Sequence, residues 1–173
     1  MSVQTHVASG RVPPCATNCV RTVLNTLALF ACWIAPPVAR VALALPFFRS
    51  GLTRWDDFLV LSPSARYLFE EEFKLHIFGG EYAIPFPDIV AFITGMAEIG
   101  LPILLVLGFA TRLSALGVLL MTAVIQLVVP DGWINFHLYW AALAVSIIAM
   151  GPGPLSLDRQ LMGRIFPAKL RVP

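Results

Sequence analysis

The chain has 173 residues, of which 58% are hydrophobic and 13% charged, and its formal net charge is +2. Soluble domains carry about 25% charged residues, so this composition belongs to a membrane protein. A net charge so close to zero leaves no electrostatic footprint for nucleic acid, which is excluded as a partner. At about 20 residues per crossing, the length admits four crossings with their loops and no second domain.

Residues 1–19 are polar and turn-rich and are expected to form a disordered tail. Cys15 and Cys19 in this tail, near His6, have no second ligand pair, so no metal is expected. With Cys32 they make three cysteines, too few for a disulfide framework. Arg11 and Arg21 ahead of apolar Leu27–Ala35 imitate a signal peptide. Cleavage is disfavoured because Trp33 and Ile34 stand where small residues are wanted, so the segment is read as retained. Arg21, Thr22, Asn25 and Thr26 recur at helical spacing, and Pro36-Pro37 arrive too soon for a comfortable span. An interfacial helix over 20–35 is therefore expected, its polar stripe facing lipid headgroups.

The first crossing is placed at about 36–54, with prolines in its first turn and Trp55 as an interfacial anchor. The alternative is one bent helix from Val20 to Phe48, kinked at the prolines. Residues 56–87 form the largest polar stretch and include a short surface helix over Ser64–Lys74. Three more crossings follow at about 88–108, 113–129 and 133–150, separated by Phe109–Arg112 and Pro130-Asp131-Gly132. Gly151-Pro152-Gly153-Pro154 ends the last, and Ser156 can cap a final amphipathic helix before a basic tail at 161–173. The fold class is thus all-α, an integral membrane four-helix bundle with an additional N-terminal interfacial helix. Lys and Arg in the tail, the 109–112 turn and the N-terminus, against an acidic 56–87 loop, place both termini in the cytoplasm.

Glu98 lies inside the second crossing, where a carboxylate must be paired, protonated or functional. Ala91, Gly95, Glu98 and Pro102 share one face of that helix, and small residues mark close helix contact, so Glu98 is expected to point into the bundle. Ala142 and Ser146 offer a similar small surface on the fourth crossing. By helical rise, Arg49, Gln126 and His137 lie about one turn from the outer edge and Glu98 about three turns. A polar cluster of Arg49, Glu98, Gln126 and His137 is expected, with Arg49 the leading partner of Glu98. Arg40 competes from the opposite face of the same helix, near its inner end, and Arg112 is a further basic group. Such a cluster can fix helix register without any chemistry. His137 also fits an aromatic belt with Trp133, Tyr139 and Trp140. One His and one Glu fall short of a transition-metal site.

These pieces together resemble the DoxX family. The resemblance rests on Arg40 with Phe48-Arg49-Ser50-Gly51, Ser62-Pro63, Glu81-Tyr82 with Pro85, Glu98, and Leu107-Gly108-Phe109-Ala110-Thr111-Arg112. It continues through Met121–Gln126, His137–Trp140 and Gly151-Pro152-Gly153-Pro154-Leu155-Ser156-Leu157-Asp158, covering about residues 36–160. It implies a four-helix bundle in a bacterial cytoplasmic membrane, and an accessory or anchoring subunit of a redox or stress-response assembly without a self-contained catalytic site. The partners so implied are lipids together with companion subunits or further copies of the chain. No cofactor is evident, and a quinone is the one the resemblance leaves room for. Two other readings stay open: a quinone-reactive site in which His137 or Glu98 exchanges protons, and a transporter with Glu98 as a proton-coupled site. Against the last, no internal repeat is visible.

Overall fold

The computed structural model describes residues 14–165, with the side chains of residues 21–161. The sequence readings that rest on His6, Arg11, Cys15, Cys19 and the tail beyond residue 165 fall outside what is described. Four helices are long and apolar enough to cross a membrane, spanning Arg21–Leu52, Pro87–Leu107, Thr111–Val128 and Pro130–Met150. The chain divides into two compact units, one ending at Cys32 and the other beginning at Trp33.

The first unit is helical from Pro14. Within it the Thr26 hydroxyl donates to the carbonyl of Thr22 at 2.9 Å, a bond that hides a polar side chain against its own helix. The helix, α1, runs unbroken from Pro14 to Leu52 and contains Pro36, Pro37 and Pro46. Pro36-Pro37 therefore do not separate two helices. The continuous form is the alternative of the two readings, although it begins earlier and ends later than Val20–Phe48.

In the second unit α1 is followed by strands β1 (Trp55–Asp57) and β2 (Val60–Leu61) and helix α2 (Pro63–Tyr67). A π-helical turn over Leu68–Glu72 leads to β3 (Lys74–Ile77) and β4 (Gly80–Ala83). Helices α3 (Pro87–Leu107), α4 (Thr111–Val128), α5 (Leu138–Met150) and α6 (Leu157–Ile165) complete the chain. The surface helix expected at 64–74 ends at Glu72, because Lys74 opens a strand. That strand pairs in register with β4, His76 opposite Glu81 and Leu75 opposite Tyr82. These two hairpins and the helix between them form a cap on one end of the bundle, here the cap end. The opposite, turn end carries the α3–α4 connection and residues 151–158.

The bundle core joins Leu43, Ala44 and Phe47 of α1 to Leu105, Ala115, Val118, Ala144 and Ile147. A second, smaller core of Leu61, Phe69 and Ala91 sits under the cap. On α3 the buried face is Ala91, Gly95, Glu98, Pro102 and Leu105, the stripe of spacing three and four read from the sequence. On α5 the buried residues are Ala144 and Ile147, whereas Ala142 and Ser146 are exposed. A π-helical turn over Trp133–His137 precedes α5. The small pair faces outward instead, with the Ser146 hydroxyl donating to the Ala142 carbonyl of its own helix at 2.7 Å.

Candidate functional site

Residues 40, 43, 44, 47, 50 and 51 of α1 fall on one stripe of a helix with 3.6 residues per turn, and Arg54 follows in the turn beyond its end. After Leu52 the chain tightens, with the amides of Thr53 and Arg54 donating to the carbonyls of Ser50 and Gly51, both at 3.1 Å. The turn is tied to the cap through Ser62, whose amide donates to the Arg54 carbonyl at 2.9 Å. Its hydroxyl donates to the Thr53 carbonyl at 3.3 Å and accepts the Ala65 amide at 3.2 Å. Thus Ser62-Pro63 starts α2 and fixes the backbone of Arg54 in one step.

The Arg54 guanidinium lies against Glu98. Nε donates to Oε2 at 3.0 Å and Nη2 to Oε1 at 3.3 Å, a two-pronged contact suited to a planar fork. The Ser50 hydroxyl donates to Oε1 at 3.1 Å. Glu98 is 2% exposed, and its side chain keeps this company because α1 and α3 come very close. A Cβ on Gly51 would stand 2.8 Å from Ile99 Cγ1 and 3.0 Å from the Glu98 carbonyl carbon, so only glycine fits there. Phe69 and Phe73 flank the guanidinium, their ring centres 5.1 and 5.9 Å from its central carbon.

This cluster forms one polar spot in the wall of an apolar cavity of about 350 Å³. The wall includes Phe47, Phe69, Phe73, Ile125, Val128 and Trp140, with Thr94 one turn before Glu98 on α3. Its size lies within the range of small-molecule pockets.

The four residues expected to cluster do not all meet. Arg49 is exposed, while its neighbour Ser50 faces Glu98. One residue turns an α-helix by about 100°, so Arg49 cannot share that direction, and Arg54 takes the role expected of it. Gln126 and His137 form a separate pair, with His137 Nδ1 2.6 Å from Gln126 Oε1. Gln126 Nε2 donates to the Pro130 carbonyl at 3.0 Å, which fixes the amide and makes His137 Nδ1 the donor. His137 is 3% exposed and packs on Trp140, ring centres 5.3 Å apart, so it is a buried residue held by a partner. Among the described residues no group of three or more His, Cys, Asp and Glu gathers as a metal site would.

Arg40 and Arg112 lie at the turn end. Arg40 is 1% exposed and donates to the carbonyls of Leu155 and Pro36, while its Nη1 is buried without a partner among the described residues. Arg112 is exposed and lies beside Gly151. The organising residue at this end is Asp158. Its carboxylate accepts the Ala110 and Thr111 amides at 2.7 and 2.8 Å and the Thr111 hydroxyl at 2.8 Å. The two amides lie at the N-terminus of α4, where its own helix leaves them unpaired. Burial pushes the Asp158 carboxyl up, but the Thr111 and Ala110 hydrogen bonds and the Arg40 charge outweigh it and hold the group below the usual carboxylate range. Neither Arg54 nor Asp158 was among the residues expected to form the site: Arg54 stood only at the end of the first crossing, and Asp158 only in the stretch that closes the resemblance.

An all-α bundle of four membrane-length helices with a buried ion pair beside an apolar cavity defines the class: a small helical membrane protein. A family model described as DoxX matches residues 35–131, more than half of the chain, and the chain belongs to the DoxX family. No curated protein and no solved structure matches it.

Proposed function

We propose that this DoxX-type membrane protein is an accessory subunit that holds a lipid-soluble ligand of the quinone class under its cap. It stands in the bacterial cytoplasmic membrane, cap outward and both termini inside, beside a redox partner that supplies the electrons. The observation that carries this reading is the combination of an apolar cavity of about 350 Å³ with a single polar spot, Arg54–Glu98–Ser50, in its wall. A quinone-class molecule needs this arrangement: an apolar slot for its ring and a few hydrogen-bond groups to orient its polar end. The exposed Glu70, Glu71 and Glu72 on the cap supply a charged surface suited to docking a companion subunit.

The test is native mass spectrometry of the full chain released in mild detergent from its own membranes, with solvent extraction of bound lipids. A companion subunit in fixed ratio together with a co-purifying quinone is the expected result. A chain that carries neither partner nor quinone overturns the proposal.

A further inference from the structure

We infer that the cavity selects an uncharged ligand bearing a carbonyl-type acceptor, and that Glu98 sets this selectivity by cancelling the charge of Arg54. This rests on the reading that the cavity holds a lipid-soluble ligand, and adds to it the electrical character of that ligand and the role of the carboxylate.

Arg54 and Glu98 are the only ionisable side chains among the residues lining the cavity. They are paired at 3.0 Å, so the wall carries no net charge. Both Glu98 oxygens are engaged: Oε1 accepts from Ser50 and Arg54 Nη2, and Oε2 accepts from Arg54 Nε. With its side chain 3% exposed, the carboxylate has no free face to offer a ligand. Arg54 is placed differently. Its side chain is 11% exposed, and Nη1 makes no hydrogen bond among the described residues, yet it is not sealed from the surroundings. Thr94 lines the same wall, and its hydroxyl makes no hydrogen bond among the described residues. The cavity therefore offers donors without offering charge.

An anionic ligand entering such a slot loses its hydration and meets a cation that is already neutralised. The attraction to Arg54 is offset by repulsion from Glu98 a few ångströms further, so the desolvation is not recovered. An uncharged carbonyl oxygen surrenders much less hydration and still accepts from Arg54 Nη1. Glu98 thus acts as a positioning residue that holds the guanidinium and balances it, with no proton exchange assigned to it.

The experiment is equilibrium dialysis of the full chain in zwitterionic-lipid nanodiscs, corrected for empty nanodiscs, with two probes of equal chain length. One is a decyl-substituted benzoquinone and the other a decyl-substituted benzoate. The wild type is expected to bind the quinone about tenfold or more tighter than the benzoate, because one unbalanced charge in a low-dielectric slot outweighs the other differences. Glu98→Gln leaves Arg54 unbalanced and is expected to reverse that order. In the double variant Arg54→Gln/Glu98→Gln, which buries no lone charge and keeps the test open if the single variant does not fold, the benzoate stays disfavoured. A wild type that prefers the benzoate, an unchanged preference in Glu98→Gln, or a benzoate preference in the double variant overturns this inference while leaving a ligand-binding cavity standing. Binding of neither probe by the wild type overturns the inference and the cavity reading together.

Discussion

Asp158→Ala tests whether one side chain joins the last segment of the chain to the start of α4. The wild-type carboxylate accepts two backbone amides and one hydroxyl, at 2.7, 2.8 and 2.8 Å. Losing a helix N-terminal acceptor costs about 1–2 kcal/mol. Thr111 is fully buried, and its hydroxyl would lose its acceptor, which costs about 1–2 kcal/mol more. The sum, about 2–4 kcal/mol, corresponds to a fall in melting temperature of about 4–16 °C for a chain of this size. Thermal unfolding in mild detergent at neutral pH, followed by tryptophan emission, measures it. Asp158→Asn keeps one acceptor and is expected to fall by less. The pH dependence has a definite sign. The folded carboxyl titrates below its unfolded value of about 3.9, so its contribution is complete above that pH and is lost as pH falls through the lower folded value. The gap between wild type and Asp158→Ala should therefore begin to narrow near pH 4 and go on narrowing as pH falls through the lower folded value. A variant that melts within about 1 °C of wild type at neutral pH would refute the view of Asp158 as the clasp at this end.

Three further outcomes follow from the same geometry. Glu98→Ala and Arg54→Ala each strand a buried charge and should destabilise by about 3–5 kcal/mol, while Arg54→Met/Glu98→Leu recovers most of that loss, as thermal melts of all three will register. Gly108→Ala places a side chain at φ +68, 2.7 Å from Ser156 Cβ and against the Arg40 guanidinium, so it should cost about 2–4 kcal/mol and lower the yield of folded protein in size-exclusion chromatography. Gln126→Leu should cost about 1–3 kcal/mol by leaving buried His137 Nδ1 without its acceptor, and a double-mutant cycle with His137→Phe should show strong non-additivity.

The four crossings were legible because apolar runs of near-span length are bounded by residues that end helices. Gly108 at φ +68 stops α3 and Gly151 at φ +77 follows α5. The buried face of α3 was equally legible, since small residues at spacing three and four leave a helix only one way to approach a neighbour. The prolines misled. Pro36 and Pro37 read as a boundary, yet they lie inside one helix, which loses only the hydrogen bonds those two residues cannot donate. The cap was opaque for another reason. Its hairpins turn through Leu59 at φ 58 and Phe78 at φ 51, a backbone region that glycine, asparagine and aspartate normally announce. Leucine gives no turn signal at the first hairpin, and at the second only Gly79, at φ +80 beside Phe78, announces the turn.

The site was half legible, and the missing half came down to phase rather than depth. Counting turns inward put Arg49 at a suitable level for Glu98, but level alone does not make residues meet. Nine residues from Arg40, Arg49 lies half a revolution away from the stripe that buries Arg40, Leu43, Ala44 and Phe47. Arg54 lies fourteen residues from Arg40, close to four whole turns, and so continues the buried stripe past the point where the helix stops. Buried Arg40, with Leu43 and Phe47 following at helical spacing, thus implies Arg54 over Arg49 as the partner of any acid at the cap end. The same stripe carries Arg40 to the carbonyls of Leu155 and Pro36 at one end and Arg54 to Glu98 at the other. One face of α1 and the turn that continues it therefore set both polar contacts, and the apolar cavity opens beside the one where cation and anion cancel.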